Sequence, residues 1–196
     1  DMIEPLSLDE AYLDVTQNKK KINSATLLAK EIKKRISQEL SLTASCGVAP
    51  NKMLAKIASD YDKPDGLYVI TPDQAQSFMA QLDIGKIPGV GKVTQKKLLS
   101  LGIKQCQDLY DLSKAQIIKI FGSFGEKITD FAKGIDHRSV KPSRQCKSIG
   151  NEVTLSEDTL DIDLIKSSLK KEINRVANRL SKKGLIGRTI TLKVKY

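Results

Sequence analysis

The chain has 196 residues, 40% hydrophobic and 29% charged, which suffices for one or two domains with real cores or for three small modules. Lys and Arg number 33 against 23 Asp and Glu, and a formal charge of +10 favours a polyanionic partner, nucleic acid first, over a merely basic soluble surface. No apolar run approaches membrane-spanning length and no signal peptide is read at the start, so no membrane partner is expected and the cytoplasm is the expected compartment.

In chain order, residues 6–15 read as strand and turn, and Asn18-Lys19-Lys20-Lys21 as a basic loop. Ser24 opens a helix in which Leu28, Ile32, Ile36 and Leu40 recur every four residues, predicting one buried stripe opposite a cationic face. Thr43 to Val48 predicts a short strand, Asn51 to Ser59 a helix, and Leu67 to Ile70 a second strand. Strands alternating with helices predict a sheet covered by helices. Thr71-Pro72-Asp73 starts another helix, and from there to about Gly134 no convincing strand is read. Gly89, Gly91, Gly102, Gly122, Gly125 and Gly134 divide that segment into short helices. His137 reads as a surface residue after the Gly134 turn.

Arg138 to Lys147, polar and basic around Pro142, reads as an interdomain linker. Beyond it, Ile149, Val153 and Leu155 suggest a strand. Ile165, Leu169, Ile173, Val176 and Leu180 mark the buried stripe of a long helix ending at Gly184, whose other face carries Lys166, Lys170, Lys171, Arg175, Arg179 and Lys183. Arg188 to Tyr196 alternates, with Ile190, Leu192, Val194 and Tyr196 facing one way, predicting a strand over a core. Charge climbs along the chain: Lys and Arg against Asp and Glu count 10 to 10 in residues 1–72, 10 to 7 in 73–138 and 13 to 6 in 139–196. Chemistry first and nucleic-acid grip later is the expectation.

Cys46, Cys106 and Cys146 are scattered and odd in number, so neither a disulfide framework nor paired zinc ligands is read. A single histidine argues against His-rich metal sites and against Ser-His or Cys-His nucleophiles. The informative chemistry is Asp9-Glu10. Side chains alternate across a strand, so these neighbours share one site only where the backbone turns. Adjacent anions repel, and a divalent cation is the usual means of keeping both ionised; oxygen-only ligands favour magnesium. A solvated acidic turn is the plain alternative.

The run Glu4-Pro5-Leu6-Ser7-Leu8-Asp9-Glu10-Ala11-Tyr12-Leu13-Asp14-Val15-Thr16 resembles the palm carboxylate motif of Y-family translesion DNA polymerases, nearest the bacterial polymerase IV branch. Gly47-Val48-Ala49-Pro50-Asn51-Lys52, Leu54-Ala55-Lys56-Ile57-Ala58-Ser59-Asp60, Lys63-Pro64-Asp65-Gly66 and Ile87-Pro88-Gly89-Val90-Gly91-Lys92 follow in the family's order, and the likeness runs essentially end to end. The resemblance implies an α+β multidomain fold. Residues 1–71 would be the later part of a ferredoxin-like palm, 72–138 an all-helical thumb with a helix-hairpin-helix, 139–147 a linker, and 148–196 the first half of an α+β little finger.

It also implies error-prone, template-directed DNA synthesis, in which deoxynucleoside triphosphates are added to the primer 3′-hydroxyl of primer-template DNA with two Mg2+ ions. Asp9 would be a metal ligand, and Glu10 would lie beside the primer-side metal and assist deprotonation; Asp14 reads as structural. Lys63 would reach the incoming triphosphate as a point charge. Lys52 and Lys56 read equally as a general basic face or as specific contacts.

Gly89, Gly91 and Lys92 would bring backbone amides to duplex phosphates without reading sequence. Gly122-Ser123-Phe124-Gly125 reads equally as a second such approach or as a helix break. Arg144, Lys147, Ser148 and Gly150 would contact the template backbone. Family members carry a further palm aspartate and a fingers module upstream, and further little-finger strands and a clamp-binding peptide downstream. The chain therefore reads as a fragment, inactive alone, whose parent engages a sliding clamp. The alternative is a non-catalytic DNA-binding repair or interaction module using the same helix-hairpin-helix.

Overall fold

The computed structural model describes residues 2–143 and 145–195, so Arg144 and Tyr196 lie outside the described residues. It divides into two compact units, residues 1–142 and 143–196. The first begins with an antiparallel hairpin, β1 (Ile3–Pro5) and β2 (Ala11–Leu13), in the register Ile3–Leu13, Glu4–Tyr12 and Pro5–Ala11. Helix α1 (Ala25–Leu40) follows, with the Ser24 hydroxyl accepting from the Leu27 amide at its start. Strand β3 (Cys46–Val48), helix α2 (Lys52–Tyr61) and strand β4 (Leu67–Val69) form a parallel crossover unit, in which β3 pairs with β4.

Two sheets of two strands, rather than one covered sheet, are therefore present among the described residues. The predicted stripe of α1 is correspondingly only half-buried at Leu28, Ile32 and Ile36, and Leu40 is exposed; Ala29 alone is fully buried. A helix face is buried only where a neighbouring surface meets it. α2 meets such a surface: Met53, Leu54, Ile57 and Ala58 are all buried. Its contact with β3 requires glycine, because a Cβ on Gly47 would lie 2.1 Å from the Ala55 carbonyl oxygen and 2.4 Å from the Ser59 nitrogen.

From α3 (Ala75–Gln81) to α6 (Ser123–Ala132) the described chain is helical, through α4 (Lys92–Ser100), α5 (Lys114–Phe121) and two short 3-10 turns at Ile84–Lys86 and Cys106–Leu109. One hydrophobic cluster runs from Met53 and Leu54 of α2 through Met79, Ile84 and Leu98 to Ile128 and Phe131. This shared core makes residues 1–142 one unit. Gly122, at φ +61°, separates α5 from α6, and a Cβ on Gly125 would lie 2.6 Å from the Ile117 carbonyl oxygen. The Gly122–Gly125 stretch is thus a helix break with close helix packing, the plainer of the two sequence expectations.

The start of the expected linker is docked. Asp136 accepts from the Met53 amide at 3.0 Å, Ser139 carbonyl accepts from Lys52 Nζ at 3.2 Å, and the Lys141 amide donates to Glu4 Oε2 at 2.8 Å. His137 is exposed, as expected.

The second unit is built around α7 (Ile162–Lys182), started by Asp161, whose carboxylate accepts from the Asp163 and Leu164 amides. The expected stripe is half-buried at Leu169, Val176 and Leu180, while Ile165 and Ile173 are exposed. The strands expected around Ile149–Leu155 and at residues 188–196 are not formed among the described residues. Alternation supplies one face of a strand, but a strand needs a partner's hydrogen bonds, and Ile190, Leu192 and Val194 are exposed instead of covered.

Candidate active site

The β1–β2 connection, residues 6–10, is closed by the Leu6 and Ser7 amides, which both donate to the Glu10 carbonyl at 2.8 and 3.2 Å. Asp9 and Glu10 therefore stand at a turn just before β2, the geometry that lets neighbouring side chains share one region. Asp9 is exposed and accepts from the Ser7 hydroxyl at 2.7 Å. That bond and a backbone hydrogen bond, with the charges of Lys63 and Lys56, hold its carboxyl below the usual carboxylate range. Asp14 accepts the Thr16 amide at 3.0 Å and so closes its own local turn.

Glu10 Oε1 lies 2.8 Å from Lys56 Nζ, which lies 2.9 Å from Asp60 Oδ2; Asp60 Oδ1 lies 2.5 Å from Lys63 Nζ. Four charges of alternating sign thus run from the turn to the end of α2. Partial burial pushes the Lys56 ammonium down, but its bonds to Glu10 and Asp60 outweigh this and hold it above its usual range. Burial raises the Asp60 carboxyl, and its bonds to Lys63 and Lys56 more than reverse that. Glu10, Lys56 and Lys63 border a cleft of about 1500 Å³, together with Asp9, Cys46 and Val48.

Neither Lys52 nor Lys56 belongs to a free basic face, which corrects one of the two expectations. Lys52 is buried in an ion pair with Glu4 at 2.5 Å, their side chains 7% and 1% exposed, and lies 5.0 Å from the centre of the Tyr12 ring. The pair joins α2 to the hairpin that carries Asp9 and Glu10. Asn51 caps α2 by accepting from the Leu54 amide and donates to the Gly134 carbonyl, and Asp136 is gripped by Arg138 through two bonds of 2.8 Å. Lys33 from α1 binds the turn after Lys63, with Nζ 2.7 Å from the Asp65 carbonyl and 2.5 Å from its carboxylate.

Sequence reasoning missed Glu4, Lys33, Asp60 and Asp136. Only Asp60 carried a readable signal, four residues after Lys56 and three before Lys63 on a helix and its end. The others act over sequence separations of 32 to 137 residues.

In the helical segment, Ile87 is buried and its carbonyl accepts from the Val90 amide at 3.0 Å; between them Gly89 takes φ +98° with Phe124 packed beneath it. Gly91 starts α4 with no side-chain cap, and Lys92 is exposed. Lys97 is diverted to the end of α5, donating to the Ile120 carbonyl at 2.8 Å. In the second unit Lys147, Ser148 and Gly150 are exposed, and Arg179 donates to the Gly150 carbonyl at 2.8 Å. Arg144 lies outside the described residues.

Two hard carboxylate donors, both reachable from solvent, fit a hard divalent cation of the magnesium type, which takes one or two carboxylates and keeps several waters. Among the described residues no third acidic, histidine or cysteine side chain joins them into a larger cluster. No described helix is long and apolar enough to cross a membrane.

Models of the impB/mucB/samB family match residues 1–60 and, through its C-terminal domain, 146–196; between them the thumb domain described for DNA polymerase iota matches residues 85–136. The chain is 49% identical over 195 residues to DNA polymerase IV of Clostridium perfringens, covering 100% of this chain and 54% of that protein. It is 51% identical over 181 residues to DNA polymerase IV of Yersinia enterocolitica, covering 92% and 51%. Among solved structures, a Y-family DNA polymerase chimera, Dbh-Dpo4(243-245)-Dbh, superposes with a TM-score of 0.79 at 39% identity, over 90% of this chain and 52% of that one. An insertion ternary complex of Dbh DNA polymerase superposes at 0.66 with 38% identity, over 90% and 52%. The chain belongs to the Y-family of DNA polymerases, in its DinB-type branch. It spans about half the length of the relatives it matches.

Proposed function

We propose that the protein carrying this chain is an error-tolerant, template-directed DNA polymerase of translesion synthesis, which adds deoxynucleotides to a primer 3′-hydroxyl. The observation that carries this reading is the exposed Asp9-Glu10 turn, joined through Lys56 and Asp60 to Lys63, in a chain half-identical to DNA polymerase IV. In this reading residues 1–71 act as palm, 72–138 as thumb, 139–147 as the connection and 148–196 as the start of the little finger.

Asp9 and Glu10 would hold divalent metal, Mg2+ by its preference for carboxylate oxygen and water. When bound, two such ions activate the 3′-hydroxyl and stabilise charge on the transferring phosphate. Glu10 stands on the primer side and assists removal of the hydroxyl proton. Lys63 exchanges its half-exposed partner Asp60 for the triphosphate of the incoming nucleotide, a change that costs little because exposed pairs contribute ~1 kcal/mol or less. Gly89, Gly91 and Lys92 offer amides and charge to duplex phosphates, a contact that positions DNA without selecting sequence. Lys147, Ser148 and Gly150, with Arg144, follow the template backbone. A sliding clamp and a cytoplasmic location complete the proposal.

In the full-length protein, Asp9→Asn or Glu10→Gln should abolish primer extension at millimolar magnesium while leaving duplex affinity nearly unchanged, because the lost charge serves metal and not phosphate grip. Extension and DNA binding measured side by side test this; near-normal extension by both variants refutes the site.

A further inference from the structure

The charge chain contains a member that the proposed chemistry does not use. Lys56 projects from α2 with its ammonium between two carboxylates, 2.8 Å from Glu10 Oε1 and 2.9 Å from Asp60 Oδ2, and its side chain is only 22% exposed. An exposed lysine is mobile; one held by two carboxylates and largely covered is a fixed charge. It sits on the residue proposed to ligate metal, and Lys63 is held to the other side of the same aspartate.

We propose that Lys56 is a positioning residue of the metal site: a built-in counter-ion that holds Glu10 in place before a divalent cation arrives and opposes that cation's binding by its own charge. The inference rests on the reading of Asp9 and Glu10 as metal ligands. Its physical basis is that Asp9 and Glu10 are consecutive anions on a solvent-exposed turn, where mutual repulsion would otherwise splay them. Lys56 relieves that repulsion from a rigid helix. A fixed +1 charge touching a ligand oxygen also repels an incoming +2 charge, so the arrangement trades metal affinity for a preformed geometry. Asp60 sets the balance. It draws Lys56 away from Glu10, and removing its charge leaves the ammonium to Glu10 alone.

The experiment measures Mn2+ binding to the full-length protein without DNA or nucleotide, by electron paramagnetic resonance of the free ion. Lys56→Met should bind Mn2+ about three- to tenfold more tightly than the parent, and Lys56→Arg, which keeps the charge, should return close to the parent value. Asp60→Asn should move the affinity the other way, about two- to fivefold weaker, and supplies the sign test even if a Lys56 variant folds poorly. In primer extension, Lys56→Met should lower kcat more than it raises nucleotide KM, because the disturbed group is the carboxylate and not the phosphate contact.

A purely structural lysine would lower the melting temperature and leave Mn2+ affinity where it was. Unchanged or weaker Mn2+ binding by Lys56→Met, in a protein whose Mn2+ binding is lost on Asp9→Asn, overturns the inference and leaves the metal site standing. If Asp9→Asn and Glu10→Gln both leave Mn2+ binding unaltered, the metal reading itself fails and the inference falls with it.

Discussion

At the scale of single residues, the ion pairs of this chain divide by burial. Glu4 and Lys52 are almost fully covered, whereas Lys63 and Asp60 are half-exposed and exchangeable. Lys63→Ala in the full-length protein should therefore act on nucleotide use and not on primer-template affinity; single-turnover kinetics should show about a tenfold loss in nucleotide affinity, of the order of one charge-assisted contact. Asp136 gives a pH-dependent case. Burial raises its carboxyl, but its bonds to Arg138, and one to the Met53 amide, hold it below the usual carboxylate range. A depressed carboxyl contributes stability above the unfolded value of about 4 and loses it as pH falls through the folded value. Asp136→Asn should accordingly destabilise by about 1–3 kcal/mol at neutral pH, with the deficit shrinking below about pH 4 in thermal melts.

At the scale of elements, the β3–α2–β4 unit positions Lys56, Asp60 and Lys63, and its tolerance is set by one close approach. Gly47→Ala would drive a methyl into backbone atoms of α2 that no rotamer change can clear, at 2.1 and 2.4 Å. A loss of about 2–3 kcal/mol is expected in denaturant unfolding, together with reduced extension, since the displaced element carries the charge chain. The thiols follow the same packing logic. Cys106 lies within the core, and burial, with Asp83 and Asp108 nearby, pushes its thiol up to about 12, which makes it inert at neutral pH.

At the scale of the whole molecule, the basic surplus of +10 belongs to residues 73–196, while residues 1–72 are neutral. Binding to primer-template DNA should be indifferent to sequence and fall roughly a hundredfold between about 50 and 200 mM salt, as Lys and Arg release condensed counterions. No binding even at low salt would remove the DNA-grip reading. The same 196-residue chain should bind without extending a primer, because among the described residues no third ligand joins the two carboxylates, and two alone do not complete a cage for two metals. Extension by the purified chain, lost on Asp9→Asn, would overturn that expectation.

The sequence by itself determined what is local. Asp9-Glu10 could share one site only at a turn, Asn51 and Ser24 read as helix starts, the glycines of residues 89–134 marked breaks between short helices, and the motif order carried the family. Each of these depends on neighbours within a few positions, where spacing and residue type decide geometry. Tertiary structure alone decided which distant charges are paired and which apolar stripes are covered. Lys52 read equally as part of a basic face or as a specific contact, and Glu4, 48 residues earlier, pairs with it; the alternation at residues 188–196 read as a strand although no partner ladder forms among the described residues. Burial and pairing depend on what the chain brings alongside, and periodicity states only which face is ready to be met.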